Sequence, residues 1–424
     1  MSATNREETN ASSGDSHKDP FSFFKQRPTF GDFLGGTSVA LILIPQAIAY
    51  ADIAGLPPTS GLICATLPLI IAAAFVSCPW LQTGPTAMTG LFTFGALAIV
   101  LPSLDDPADA IKVSSMLALI VGITRFTMGL ANFGRFIRFL KEPVILGFTA
   151  AAAILIIASQ LEQLVGIESD EKNIMKQAWS AITCPGSWSL KAIVMSVFCG
   201  AIILQCRQFH RLFPGIMLAS VVAIFTSYQT GYAEPVVGEI ASAWPQISLD
   251  FPWEHLPKIL FTGIMIAIVG FAEPASISLA LTREAGITWN ASRELVASGV
   301  ANFTAALTGG YPIGGSFSRT MVNQVAGSKT SWSSLITGVV VLGFTPFIGV
   351  LSYLPRAALA TIIFLAVIRL IKVRKIRELI VEQPIWGFVS ISTLIATLVS
   401  APNIEYGILT GIVLSIVVGY FKKP

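Results

Sequence analysis

The sequence predicts an all-α membrane protein of fourteen transmembrane segments, arranged as two inverted repeats of seven. Three observations predict it. The 424 residues are 53% hydrophobic and only 12% charged, against about 25% charge in a typical soluble domain. Windows such as 91–102, 150–159, 335–351 and 404–420 are too apolar to face water. Two polar interruptions, Gln82-Thr83-Gly84-Pro85-Thr86 and Pro312-Ile313-Gly314-Gly315-Ser316, fall at matching places in the two halves. Sliding the first half forward until Pro45 lies on Pro274 also puts Gly84-Pro85-Thr86 on Ile313-Gly314-Gly315. Gly/Pro-broken hydrophobic segments at corresponding places point to a transporter's midplane binding site.

The segments fall near 31–50, 60–77, 86–101, 112–133, 143–161, 190–206, 212–230, 258–281, 291–309, 316–328, 332–351, 355–371, 384–400 and 404–421. A full span needs roughly 20 apolar residues, so the third and tenth are short half-helices, each led in by broken chain. Irregular backbone survives at membrane depth only where protein or a water-filled cavity covers it. The first repeat runs over about 31–231 and the second over about 258–421. An odd number of helices per repeat inverts one copy relative to the other.

Residues 29–424 read as the transmembrane domain and 1–28 as a disordered cytoplasmic tail. Residues 1–20 lack the apolar core of a signal peptide. Residues 21–30 mix Phe with Lys25 and Arg27, as suits an interfacial approach to the first span. With the N-terminus inside, Arg135, Arg138, Lys141, Arg207, Arg211, Arg369, Lys372, Arg374, Lys375, Arg377, Lys422 and Lys423 fall on the cytoplasmic side. Asp105, Asp106, Asp109, Glu168, Asp170, Glu171, Glu234, Glu239 and Asp250 fall outside. This is the positive-inside pattern of a multi-pass plasma (inner) membrane protein with both termini cytoplasmic.

A net charge of +3 gives no reason to expect nucleic acid. His17, His210 and His255 are too dispersed for a metal site, and five cysteines without CxxC spacing suit neither a metal knuckle nor a disulfide framework. The intramembrane four, Cys64, Cys78, Cys199 and Cys206, read as small hydrophobes. No Gly-x-Ser-x-Gly with a partnered intramembrane His is present, so neither an enzyme nor a cofactor is expected.

The chemistry concentrates where the half-helices begin. A helix N-terminus presents unpaired N–H groups and a positive dipole end, which favour an anion. Thr86 and Ala87 open one half-helix; Ser316, Phe317 and Ser318 open the other. Gly84, Gly314 and Gly315 allow close approach to the backbone, and the hydroxyls of Thr86, Ser316 and Ser318 add donors. Arg319 brings a positive charge to the same point. Two facing dipole ends and one Arg make a small anion the expected guest.

Glu273 lies within the apolar run 264–280, where a carboxylate is costly unless paired, protonated or hydrated. It reads as a proton carrier, a counter-charge to Arg319, or a structural ion pair; Pro274 beside it should free a carbonyl and bend the helix. On the first helix Pro45 should kink the chain, Gln46 offers an amide donor, and Tyr50 shares its face one turn on. Arg125 reads as a side chain snorkelling to the cytoplasmic interface. Asn302, Asn323 and Gln324 read as interhelical glue.

These residues resemble the sulfate permease family, also called solute carrier family 26. Its opening pattern is matched by Gly31-Asp32, Ile44-Pro45-Gln46-Ala47-Ile48-Ala49-Tyr50-Ala51, Ala54-Gly55-Leu56-Pro57-Pro58 and Gly61-Leu62. Gly84-Pro85-Thr86-Ala87 resembles its third helix, and Gly270-Phe271-Ala272-Glu273 with Ser276-Ile277 its eighth. Gly309-Gly310-Tyr311-Pro312, Gly315-Ser316-Phe317-Ser318-Arg319-Thr320 and Asn323 resemble its tenth. The resemblance implies a fourteen-helix fold divided into core and gate domains, usually dimeric. It implies an anion site between the third and tenth helices, with Gln46 and Tyr50 nearby, and associates a Glu at the position of Glu273 with proton-coupled uptake in bacterial members. Sulfate, bicarbonate, chloride and dicarboxylates are the substrates it brings into view.

The sequence departs from the family pattern in two ways. Members usually end in a cytoplasmic STAS domain, whereas this sequence reads as the membrane domain without one. Arg125 stands where an uncharged residue is expected. A nucleobase–cation symporter is disfavoured because 310–324 holds no acid. An anion exchanger or passive channel is the remaining alternative. Glu273, Ser276 and Ser278 are a poorer oxygen cluster than sodium calls for, so the coupling ion is expected to be a proton.

Overall fold

Apolar runs become helices, and Gly, Pro and capping hydroxyls set where each begins and ends. The computed structural model describes residues 26–101, 106–134, 141–167, 174–209, 214–240 and 244–421. Helix α1 (Phe30–Ile53) opens with a capping box: Thr29 Oγ1 accepts from the Asp32 N–H, while Asp32 Oδ2 accepts from the Thr29 N–H. Pro45 lies inside this helix.

The span expected over 60–77 is two short helices instead. These are α2 (Pro58–Cys64) and α3 (Leu67–Ala72), each with Pro in its first turn, where the missing N–H costs nothing. Then follow α4 (Ala87–Val100), α5 (Pro107–Leu130), α6 (Glu142–Val165), α7 (Ile174–Thr183), α8 (Leu190–Phe209) and α9 (Gly215–Thr230).

In the second half the span expected over 258–281 divides into α10 (Leu256–Val269) and α11 (Ala272–Glu284). The break falls at Gly270–Phe271, ahead of Pro274, which sits in the first turn of α11 and disrupts no helix interior. Next come α12 (Ala291–Leu307), α13 (Phe317–Val325), α14 (Trp332–Phe344, continued by a 3-10 stretch over Thr345–Tyr353) and α15 (Arg356–Val367). The last are α16 (Val373–Glu382), α17 (Pro384–Ser400) and α18 (Glu405–Phe421).

Two helices were not expected. Helix α7 is short, with Lys176 and Gln177 interrupting its apolar residues, and α16 buries no residue.

Among the described residues six helical stretches are long and apolar enough to cross a membrane: Phe30–Ile53, Pro107–Leu130, Glu142–Val165, Leu190–Phe209, Trp253–Glu284 and Trp332–Tyr353. Ala87–Val100, Pro384–Ser400 and Glu405–Tyr420 are apolar but shorter. Exposed Val197 and Phe198 on α8 and Val413, Ile416 and Val417 on α18 present apolar surface outward, as helices in lipid do.

Small residues let the inner helices approach closely. A Cβ on Gly299 of α12 would stand 2.6 Å from the Phe126 nitrogen of α5, and one on Gly122 2.8 Å from the Phe303 nitrogen. Glycine contacts of this kind are how membrane helices pack without a hydrophobic driving force.

The N-terminal tail and approach segment up to residue 25, His17 and His210 lie outside the described residues, as do Asp105, Arg135, Arg138, Glu168, Asp170, Glu171, Arg211, Lys422 and Lys423. Among the described loop charges, Arg369, Lys372, Arg374, Lys375 and Arg377 are exposed, as is Asp250.

Candidate functional site

The two interruptions meet. Strand β1 (Thr83–Gly84) pairs antiparallel with β2 (Gly314–Gly315), with Thr83 opposite Gly315 and Gly84 opposite Gly314. The Ser316 N–H donates to the Gln82 carbonyl at 3.0 Å, and the Gln82 N–H to Thr320 Oγ1 at 3.1 Å. This ladder satisfies backbone that would otherwise be orphaned at membrane depth. It also places the starts of α4 and α13 side by side.

The two helix starts differ. Thr86 caps α4 with its own side chain, accepting from the Thr89 N–H at 3.2 Å, while Thr89 Oγ1 accepts from the Thr86 N–H at 3.3 Å. Its hydroxyl thus serves as the cap acceptor and lies 3.0 Å from Thr89 Oγ1. Thr86 and Ala87 are both buried. Ser316, at the start of α13, makes no capping bond; its hydroxyl lies 3.3 Å from that of Ser318. Phe317 and Ser318 are exposed, whereas Gly315 and Ser316 are buried. The start of α13 therefore offers the freer polar groups.

Arg319 is the centre of charge. It is 1% exposed, and its Nε, Nη1 and Nη2 have no hydrogen-bond partner among the described residues. A Cβ on Gly84 would stand 3.4 Å from Nη2, which places the guanidinium against the β1 backbone. Tyr50, Glu273 and Tyr311 all lie within electrostatic reach of it. Glu273 is half-buried at the start of α11, facing Arg319 and the Phe317 backbone N–H. Gln46 and Tyr50 are buried one turn apart on α1, and Gln46 Oε1 has no partner among the described residues. Tyr50, Glu273, Arg319 and Phe317 thus converge with the β1–β2 junction.

A side chain set aside in the sequence holds this junction in place. Arg125 does not snorkel to an interface: it is fully buried and donates to the carbonyls of Ile266, Ala267 and Ile313 and to Ser298 Oγ. At the break between α10 and α11 the Ala267 carbonyl accepts from Arg125, and the Ile266 carbonyl accepts from both the Gly270 N–H and Arg125; no sequence signal linked α5 to that break. Asn302 is glue as expected: its Oδ1 accepts from the Ile313 N–H at 2.9 Å and its Nδ2 donates to the Ile313 carbonyl at 3.2 Å. Asn323 donates to the Trp80 carbonyl and to Ser333 Oγ. Cys64 does more than pack, because its sulfur accepts from the Tyr311 N–H at 3.2 Å.

A cavity of about 450 Å³ lies elsewhere, lined by residues that include Asp52, Gln160, Gln163, Glu234 and Arg356, and it contains none of the candidate site residues. Gln163 Nε2 bonds Asp52 Oδ2 at 3.0 Å on its wall, joining α6 to the end of α1.

An apolar helical fold in which the strands ahead of two short helices, α4 and α13, pair backbone to backbone beside a buried arginine is that of a membrane transporter. The chain belongs to the sulfate permease family, whose sequence profile matches residues 30–399. That is a family of transporters, not enzymes.

The chain is 32% identical over 405 residues to a probable sulfate transporter of Mycobacterium tuberculosis, covering 93% of this chain and 71% of the relative. It is 33% identical over 355 residues to the chloroplastic sulfate transporter 4.1 of Arabidopsis thaliana, spanning 50% of that protein. Among solved structures, murine solute carrier 26 family member A9, an anion transporter in the inward-facing state, superposes with a TM-score of 0.84 at 22% identity, over 94% of this chain and 69% of that one. The transmembrane domain of the cyanobacterial bicarbonate transporter BicA gives 0.77 at 22% identity, over 91% of this chain and 97% of that domain. At these identities the structural matches establish the fold.

Proposed function

We propose that the protein is a proton-coupled secondary transporter of small anions, working by alternating access around a site between the N-termini of α4 and α13. The observation that carries this reading is Arg319, buried beside the paired strands with three nitrogens that have no partner among the described residues. A buried guanidinium without partners is costly, and a bound anion would offset that cost. Gln46, Tyr50, Thr86, Ala87, Gly315, Ser316, Phe317, Ser318 and Arg319 form the binding site in this reading. Glu273, facing both Arg319 and the start of α13, carries the proton: a neutral acid admits the anion and a carboxylate repels it.

Sulfate is the first candidate substrate, supported by the names of the relatives; bicarbonate follows from the cyanobacterial neighbour, and a dicarboxylate such as fumarate suits the same donors. The fourteen segments form a seven-plus-seven inverted repeat divided into core and gate domains, in a homodimer in the plasma membrane with cytoplasmic termini. The antiparallel pairing of β1 with β2 is what inverted copies meeting at a pseudo-twofold axis would give.

The test is uptake of radiolabelled sulfate, bicarbonate and fumarate into proteoliposomes, with and without an inward proton gradient. Gradient-stimulated accumulation of one anion is expected. Transport indifferent to the gradient would make the protein an exchanger or channel and leave Glu273 a structural counter-charge.

A further inference from the structure

Among the described residues Arg125 bonds only neutral acceptors. Its Nε donates to the Ala267 carbonyl at 3.0 Å and its Nη2 to the Ile266 carbonyl at 3.1 Å. Its Nη1 donates to Ser298 Oγ at 2.9 Å and to the Ile313 carbonyl at 3.0 Å. No carboxylate lies against it among the described residues. Two of its acceptors belong to the last turn of α10, the negative end of that helix. The third carbonyl belongs to the residue that leads into β2. A Cβ on Gly270 would stand 2.8 Å from Nη2, so the glycine at the α10–α11 break makes room for the guanidinium. A full positive charge is thus held one peptide unit behind the strand that opens the second half-helix.

We propose that Arg125 is the second positive charge of the anion site, setting its preference for divalent over monovalent anions while its bond to the Ile313 carbonyl positions β2. The inference rests on the anion site described above. Among the described residues Arg125 and Arg319 are the buried positive charges around the β1–β2 junction and Glu273 supplies at most one negative; exposed Lys372 is the weakest of the influences on Glu273. With Glu273 protonated, a dianion brings the set to neutrality and a monoanion leaves a positive charge uncompensated. In an environment of low effective dielectric that difference persists over several ångströms. Arg125 does not touch the anion; it acts through the field and through the placement of Gly314 and Gly315.

The test compares sulfate with nitrate in proteoliposomes, measuring KM and kcat for each alongside the folded fraction by size-exclusion chromatography. The wild type should favour sulfate. Arg125→Gln should raise the sulfate KM about tenfold and change the nitrate KM by less than about threefold. Arg125→Lys keeps the charge but cannot reach all four acceptors, so it should keep the preference and lose kcat. Ser298→Asp sets a carboxylate against the intact guanidinium, cancelling its charge without emptying its space; it should reduce the preference as Arg125→Gln does, and it decides the matter if the Gln variant fails to fold. Ser298→Ala should leave the preference unchanged. A folded Arg125→Gln or Ser298→Asp protein with the wild-type sulfate-to-nitrate ratio overturns the proposal, as does a wild type that takes both anions equally. A wild type that takes up bicarbonate or fumarate but neither sulfate nor nitrate overturns the proposal and leaves the transport reading standing; uptake of none of these anions would count against the transport reading itself.

Discussion

Gly315 lies directly against Pro274: a Cβ added to Gly315 would stand 2.7 Å from Pro274 Cβ and 3.0 Å from Leu81 Cδ1. The strand of one broken segment is thereby seated on the first turn of α11, next to Glu273. Gly315→Ala must push the two apart. Overpacking of this kind costs about 1–3 kcal/mol. A lowered thermal midpoint in detergent together with a raised substrate KM is the expected result; an unchanged midpoint would mean the strand is free to shift.

Ser318 is exposed at the start of α13, so a larger side chain there meets no packed neighbour. Ser318→Tyr should abolish uptake while keeping stability within about 0.5 kcal/mol of wild type. Unaltered uptake would move the site away from this helix.

Arg319 should be dispensable for folding and essential for the ligand. A ligand that binds only the folded protein stabilises it by about 2.7 kcal/mol at a hundred times its Kd. Titrated sulfate should therefore raise the thermal midpoint of the wild type. Arg319→Met should fold and show no such rise. A sulfate-dependent rise in the Met variant would remove Arg319 from the binding role.

Glu273→Gln keeps the shape of the side chain and removes its ability to release a proton. Concentrative uptake driven by a pH gradient should disappear, while counterflow of labelled against unlabelled anion persists. If the variant still concentrates substrate on a proton gradient, another group carries the proton.

The broken segments could be read from the sequence because Gly and Pro clustered inside an apolar run interrupt the helix that the run would otherwise form. Pro312 and Gly314 announced irregular backbone without any knowledge of its partner. The partners themselves could not be read. Arg125 reaches acceptors on α10, on α12 and before β2, and nothing local to α5 marks them. Asp32 is a second instance. It is fully buried and accepts from Thr29, Ser328, Lys329 and Thr330, tying the start of α1 to the turn that follows α13. In the sequence it was only part of a family pattern. Helix boundaries fared worst where a break fell inside an apolar run. Thr66, between α2 and α3, and Gly270, between α10 and α11, interrupt segments whose hydropathy stays high on both sides. Hydropathy records burial, whereas a break is set by which carbonyls find donors.

The two-residue ladder has a consequence for how the protein is made. The ribosome releases Thr83 and Gly84 long before Gly314 and Gly315, and contacts so far apart in sequence close late. Until the second half inserts, the first must keep a stretch of unpaired backbone within the bilayer, where each unsatisfied group is penalised. The newly made first half is therefore an unfinished structure, dependent on water, the insertion machinery or a neighbouring chain to shelter that stretch. Substitutions in 312–316 should then act on the yield of inserted protein as well as on its activity.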